Sequence, residues 1–269
     1  MSFFKKLQII KNEVLSLIPA EKSLPATQEK ADLAILNEMD AELDLLLKEE
    51  ENGSLAKTKA NYVGEVIRLI ILLDISGSMR GTEDDIYQGL ADLIKKHYGD
   101  NILVSLIAFN DDRYEILSDV HIDEAKVTKI DPVGGTNLNG TLYHALKEKC
   151  SYGTNLLVTI SDGSDTEDKI STDKVRKELN KKKNGKNHFY FLGEPTLSQT
   201  PENVHANAKE LGFEDDHIAI FTREGNGNKL NFAVISQMLD DLIEYGKVSD
   251  LWSQPIKEHY LALTDKRNK

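Results

Sequence analysis

The sequence contains a single cysteine, Cys150, among its 269 residues. One thiol forms no intramolecular disulfide and supplies no zinc site built on several cysteines, so both kinds of cross-link are excluded. No apolar run reaches the roughly 20 residues that a transmembrane helix needs, and the longest, residues 69–73, has the length of a strand. A signal-peptide pattern is also missing, because Lys11 interrupts the apolar stretch near the N-terminus. We therefore expect a cytoplasmic protein with no membrane association.

Basic residues are in deficit. The chain has 33 Lys and Arg against 45 Asp and Glu, which gives a formal net charge of -12. Nucleic acids and anionic membranes attract a basic face, so this balance predicts neither of them as a partner. The hydrophobic fraction of 40% and the charged fraction of 29% are typical of a globular protein that buries an ordinary core.

Glycine is absent before Gly53, and the first 62 residues differ from the rest of the chain. Apolar residues recur there at helical spacing in two segments: Leu7, Ile10, Val14 and Ile18, then Leu36, Met39, Leu43 and Leu46. The pattern predicts a helical N-terminal extension and linker over residues 1–62 that packs on the main domain. A docking surface for a partner or a second copy, and a membrane-surface helix, are the alternatives.

Strand and helix patterns alternate over residues 63–247. Buried or edge strands are predicted at 66–73, 102–109, 113–120, 156–160, 188–192 and 217–221, with helices between most of them. Such alternation predicts an α/β domain with a doubly wound, mostly parallel sheet and helices on both faces. Thr82, three residues before Asp85, predicts a capping box at the start of the first helix. Residues 248–269 are predicted to form a C-terminal helix and tail.

Three polar loops follow predicted strands, at residues 74–78, 134–137 and 161–165. Ligands of open parallel sheets bind at the carboxyl ends of the strands, so we expect these loops to meet at one edge. They carry carboxylates, hydroxyls and glycines, without sulfur or a cluster of imidazoles. Hard cations such as Mg²⁺ are bound by oxygen ligands, and the loops therefore predict a site for such a cation.

These residues resemble the metal-ion-dependent adhesion site (MIDAS) of the von Willebrand factor A (VWA) domain, which reads D-x-S-x-S, then a distant Thr, then a distant Asp. The matching residues are Asp74, Ser76, Ser78, Thr136 and Asp162. The resemblance covers about residues 65–245 and implies a Rossmann-like VWA fold with a complete MIDAS, of the intracellular prokaryotic or phage type. It also implies that Ser76, Ser78 and Thr136 ligate Mg²⁺ or Mn²⁺ directly, while Asp74 and Asp162 act mainly through bound water.

The function that this resemblance implies is metal-dependent binding of another protein. Neutral hydroxyl ligands leave the cation poorly neutralised, and an open coordination position then attracts an Asp or Glu of the partner. No activated base is expected beside the metal, so we predict an adaptor and not an enzyme. The candidate partners are an AAA+ ATPase or a component of an assembly.

Other readings stay open at this point. The chain is alternatively a structural subunit of a virion, a secretion apparatus or a defence apparatus that docks through its N-terminal helices. A degenerate site without metal and a metal-dependent enzyme are further alternatives. A haloacid dehalogenase phosphatase is disfavoured because Ser76 stands where that chemistry needs a second Asp, and a serine hydrolase lacks its G-x-S-x-G frame.

Overall fold

The computed structural model describes residues 65–150, 153–167, 169–196 and 199–267. The helical prediction for residues 1–62 lies outside these residues, and the boundaries proposed near residues 62 and 247 stay predictions. The strands are β1 (Ile67–Asp74), β2 (Ile102–Phe109), β3 (Arg113–His121), β4 (Thr154–Ser161), β5 (Asn187–Gly193) and β6 (Ile218–Ile220). The α-helices are α1 (Glu83–Lys96), α2 (Leu138–Glu148), α3 (Thr172–Lys182), α4 (Pro201–Leu211), α5 (Gly227–Tyr245) and α6 (Gln254–Arg267).

The strands form one twisted sheet in the order β3-β2-β1-β4-β5-β6. All neighbouring pairs are parallel except β2 and β3, which are antiparallel. The sequence-based prediction of a mostly parallel, doubly wound sheet is therefore confirmed. The strands that follow β1 in sequence are first added on one side of it, as β2 and β3, and then on the other side, as β4, β5 and β6. The direction in which strands are added therefore reverses at β1. A crevice for ligands opens at such a switch point, beyond the carboxyl end of the strand.

Helices cover both faces of the sheet because successive side chains of the buried strands point to opposite sides. Leu69, Ile71 and Leu73 of β1 pack in the core under α1, α5 and α6. Ile70 and Leu72 pack in the opposite core under α2, α3 and α4. Every residue of β1 is buried, which explains its nearly continuous apolar sequence. In the described part of the chain, no helix combines the length and the apolarity needed to cross a membrane.

The predicted capping box at the start of α1 is wrong. Thr82 occupies the N-cap position, but its side chain makes no capping hydrogen bond. The hydroxyl instead donates to the main-chain carbonyl of Met79 over 2.6 Å. It therefore closes the 3₁₀ turn of Gly77–Met79 onto the beginning of the helix, and this turn is part of the first polar loop.

Candidate metal centre

Asp74 ends β1 and anchors the first polar loop. Its side chain is fully buried. One carboxylate oxygen, Oδ1, accepts the main-chain N–H of Ser76 at 2.8 Å, and Oδ2 accepts the hydroxyl of Ser161 at 2.7 Å. Burial raises the pKa of Asp74 to about 6, and the nearby charge of Asp162 adds to the effect, while hydrogen bonds from Ser76 and Ser161 oppose it. Asp74 therefore positions the Ser76 loop with both of its oxygens engaged.

The side chains of Ser76, Ser78 and Asp162 form a continuous line of oxygens. The hydroxyl oxygens of Ser76 and Ser78 are 2.9 Å apart. Ser78 Oγ donates to Asp162 Oδ2 at 3.1 Å. The other oxygen of Asp162 accepts the main-chain N–H of Ser164 at 2.9 Å, which orients the carboxylate. Residues at the ends of two neighbouring strands thus meet as the sequence predicts.

Thr136 is held beside these residues by the main chain of its loop. The N–H of Gly77 donates to the carbonyl of Gly134 at 3.1 Å, which joins the first and second loops. The N–H of Thr166 donates to the carbonyl of Thr136 at 2.8 Å, which joins the second and third loops. Thr136 is 4% exposed, and its own N–H donates to Thr166 Oγ1 at 2.8 Å. Direct hydrogen bonds from the Thr136 side chain to the other predicted ligands are not found among the described residues.

The two glycines before Thr136 are favoured for different reasons, the backbone conformation at Gly134 and a close contact at Gly135. Gly134 has a φ of +84°, a conformation that side chains disfavour. The N–H of Gly135 donates to Asp111 Oδ1 at 2.7 Å, so the chain passes close to that carboxylate. A Cβ at Gly135 would lie 2.5 Å from the same oxygen. Asp111 lies just beyond the end of β2 and secures the second loop from that side.

The spacing of the oxygens fits a small, hard cation. When Mg²⁺ binds six oxygens at about 2.1 Å in an octahedron, adjacent oxygens lie about 3 Å apart. The separations of 2.9 Å between Ser76 Oγ and Ser78 Oγ and of 3.1 Å between Ser78 Oγ and Asp162 Oδ2 are of this size. Hydroxyl and carboxylate oxygens are also ligands that suit Mg²⁺ and Mn²⁺. The residues present fit such an ion, and the ligand role of each of them stays a prediction.

Two residues that the sequence analysis did not single out border this cluster. Glu194 directly follows β5, and its Oε1 accepts hydrogen bonds from the guanidinium Nε and the main-chain N–H of Arg223. Arg223 also donates through Nη1 to the main-chain carbonyl of Ser78. A carboxylate directly after a buried strand was a usable signal for Glu194. Arg223 follows the short strand β6, and no motif marks it.

Comparison with known proteins supports the fold. No protein-family model and no curated protein matches the sequence. The vWF domain of the type V pili tip protein Mfa5 from Porphyromonas gingivalis matches with a TM-score of 0.51 and 11% identity, over 70% of this chain and 99% of that one. This chain has the VWA fold.

Two further solved structures resemble this VWA fold. The pilus adhesin SpaC from Lactobacillus rhamnosus GG, in its open conformation, gives a TM-score of 0.51 at 13% identity, over 67% of this chain and 30% of SpaC. A mutant of the PilB minor pilin from Streptococcus sanguinis gives a TM-score of 0.52 at 13% identity, over 72% of this chain and 64% of that one. Likeness at this level of identity concerns the fold and leaves the function to the site.

Proposed function

We propose that this VWA chain is a metal-dependent protein-interaction module. A divalent cation, Mg²⁺ or Mn²⁺, is held by the five predicted ligands and joins the chain to an Asp or Glu side chain of a partner protein. The predicted ligands are Asp74, Ser76, Ser78, Thr136 and Asp162. The single observation that carries the proposal is the line of oxygens from Ser76 through Ser78 to Asp162, with separations of 2.9 and 3.1 Å.

The predicted ligands have different roles in binding such an ion. Asp74 fixes the main chain at Ser76 and supplies negative charge from a buried position. The hydroxyls of Ser76 and Ser78 are neutral ligands, so they do not cancel the charge of a divalent ion. When bound, the cation supplies an open coordination position that attracts an anionic oxygen. A carboxylate is the protein group that matches this demand.

Binding, and not catalysis, is the role we propose for this site. A general base must reach the proton that it removes, so its carboxylate has to be accessible to a substrate. Both oxygens of Asp74 accept hydrogen bonds within the protein, and the side chain has no exposed surface. Asp74, whose pKa is raised to about 6, is therefore a positioning group. We further propose a cytoplasmic adaptor whose partner is an AAA+ ATPase or a component of an assembly.

Binding of the metal alone is the first test. Isothermal titration of the full chain with Mn²⁺ is compared between wild type and Ser78→Ala, and we expect the variant to bind at least about tenfold more weakly because one hydroxyl ligand is lost. Ser171→Ala removes the same hydroxyl from an exposed position outside the loops and serves as the matched control. Equal affinity of Ser78→Ala and wild type would contradict the assignment of the site.

Capture of a partner is the second test. The wild-type chain is incubated as bait with lysate of the source cell, once in Mg²⁺ and once in EDTA. The Asp162→Ala variant is the third bait and is incubated in Mg²⁺. We expect one protein to be retained only by wild type in Mg²⁺, and substitution of its acidic residues to abolish retention. A protein retained equally under all three conditions would rule out the metal bridge.

A further inference from the structure

An open cavity of about 950 Å³ adjoins the candidate metal centre. Ser78 and Asp162 line it on one side, and Tyr260 and Leu263 of α6 contribute an apolar part of its wall. Glu194 and Arg223 line it as well. A ligand that reaches the metal centre can therefore extend into this cavity, and the side chains there decide which neighbouring group it accepts.

Glu194 has an unsatisfied oxygen in this wall. The residue is 2% exposed, so its carboxylate is almost completely removed from water. Oε1 accepts two hydrogen bonds from Arg223, but Oε2 has no hydrogen-bond partner among the described residues. Burial raises the pKa of Glu194, although the hydrogen bond and charge of Arg223 oppose the rise. Buried polar atoms are nearly always paired, and because Glu194 lines the cavity, a group bound there can supply the donor.

The charge around the cavity specifies the kind of donor. Among the described residues that line the cavity, three are acidic and one is basic. The acidic residues are Asp162, Glu194 and Glu224, and the basic one is Arg223. This excess of carboxylates favours a cation over a neutral or anionic group. Lys and Arg side chains also bury their aliphatic stems against apolar surface while the charged end reaches a polar group. The apolar surface of Tyr260 and Leu263 in the same cavity suits such a stem.

We propose that this cavity binds a Lys or Arg side chain of the partner, with Oε2 of Glu194 accepting a hydrogen bond from the cationic group. The proposal rests on the function proposed above, because the same partner presents its acidic residue to the metal. The preferred partner sequence then has an acidic residue and a basic residue at a fixed spacing. A basic neighbour also reduces the repulsion that an acidic partner meets from a chain of net charge -12.

Selection from a displayed library of random heptapeptides tests both proposals. The full-length chain is the bait, in Mg²⁺ and in EDTA. We expect Mg²⁺-dependent enrichment of peptides with Asp or Glu and with Lys or Arg at one constant spacing. Glu194→Gln keeps the shape of the side chain and can still accept from Arg223. It should retain the preference for an acidic residue and lose the preference for a basic one.

The contribution of Glu194 to binding is measured from the affinities of one selected peptide for wild type and for Glu194→Gln. Loss of a hydrogen bond between charged groups in a buried site corresponds to about ten- to hundredfold weaker binding, which we expect for Glu194→Gln. The same peptide with norleucine in place of its basic residue should bind wild type and Glu194→Gln equally. Glu210→Gln removes the same charge from an exposed position of α4 outside the cavity and is the matched control. Thermal unfolding establishes that both variants are folded.

The outcomes separate the two proposals. Mg²⁺-dependent selection of acidic residues without basic ones, or an unchanged preference in Glu194→Gln, overturns the role of the cavity and leaves the metal bridge standing. Peptides can also be enriched in basic residues alone, in a way that EDTA does not affect and that Glu194→Gln abolishes. That result supports binding of a basic side chain in the cavity and overturns the metal bridge. Absence of any enrichment overturns both.

Discussion

The hydroxyl of Ser78 donates a hydrogen bond to Oδ2 of Asp162 across 3.1 Å, although 84 positions separate the two residues in the sequence. The contact arises because β1 and β4 are parallel neighbours in register, with Leu73 beside Ile160. The residues that follow the two strands therefore emerge side by side at one edge. The candidate site depends on this register, because a shift of β4 by one residue would turn its side chains to the opposite faces.

We expect Asp74→Asn to stabilise the metal-free protein at neutral pH. Burial raises the pKa of Asp74 from 3.8 to about 6, so the folded chain binds the proton more tightly than the unfolded chain. The free energy of unfolding of the wild type then falls as pH rises from about 4 to about 6, and the full penalty is present above pH 6. A neutral amide avoids this penalty, which amounts to about 3 kcal/mol at most. Urea denaturation in EDTA at pH 5 and pH 8 measures the difference.

The same variant should lose its response to metal. We expect Mg²⁺ to raise the melting temperature of the wild type and to leave that of Asp74→Asn unchanged, because the buried negative charge is gone. Asp250→Asn, at an exposed position after α5, is the control and should behave as wild type. A lower stability of Asp74→Asn at pH 8 in EDTA would show that burial of the charge is not the dominant effect.

We expect Gly135→Ala to weaken metal binding without unfolding the chain. The added Cβ would lie 2.5 Å from Asp111 Oδ1 and 2.7 Å from Thr166 Oγ1, so these two side chains have to move, and with them the hydrogen bonds that they accept from the main chain of Gly135 and Thr136. Titration with Mn²⁺ should show a loss of about tenfold, because the groups that orient Thr136 are displaced. Gly77→Ala is the matched control in the adjacent loop, since its Cβ would meet only a carbonyl oxygen, at 3.5 Å. Equal losses for the two glycines would argue against a specific role of the Gly135 contact.

We expect Asp119→Ala to destabilise the domain by about 3–5 kcal/mol, because it removes the carboxylate that pairs with the buried guanidinium of Arg68. Arg68 is 2% exposed, and its Nη2 lies 2.5 Å from Asp119 Oδ1. Burial by itself raises the pKa of Asp119, but the hydrogen bond and charge of Arg68, the charge of Lys149 and the hydrogen bond from Ser105 together outweigh it, so the pKa lies below its usual value of 3.8. The contribution of the pair is thus present above pH 4 and is lost as pH falls below it.

Urea denaturation at pH 7 and pH 3 tests this ion pair. The difference between wild type and Asp119→Ala should be large at pH 7 and smaller at pH 3. The double variant Arg68→Met/Asp119→Ala should recover part of the stability, since it also removes the buried charge that Asp119 balances in the wild type. If the double variant is as unstable as the sum of the two single variants, the two residues do not act as a pair.

We expect Arg223→Met to destabilise the fold by about 3 kcal/mol, because the buried carboxylate of Glu194 loses the group that compensates its charge. The variant also loses the hydrogen bond from Arg223 to the carbonyl of Ser78, so its affinity for Mn²⁺ should fall. Chemical denaturation and metal titration give the two values. Stability should return in Arg223→Met/Glu194→Leu, whereas metal affinity should not, because the contact to Ser78 stays absent. If stability and metal affinity both returned, Arg223 would act only through its pairing with Glu194, and its contact with Ser78 would not contribute to metal binding.

The alternation of strands and helices was readable from the sequence, and so was the meeting of the polar loops after β1 and β4. The apolar run of β1 indicates a strand buried on both faces, and polar residues at the ends of parallel strands must share an edge of the sheet. A local rule failed at Thr82, where the capping box was predicted. Its hydroxyl had a second acceptor within reach, the carbonyl of Met79, and donates to it instead.

The sequence by itself therefore determined the class of fold and the residues brought to one edge, because hydrophobic periodicity and strand ends are local properties of the chain. Only the tertiary structure decided that Glu194 and Arg223 pair beside Ser78, and that Asp119 neutralises Arg68. These contacts depend on the order of the strands and on their register, and many orders are compatible with the same pattern of buried and exposed residues. The cavity beside the candidate metal centre follows from that order, as does the position of the Glu194 oxygen that has no hydrogen-bond partner among the described residues.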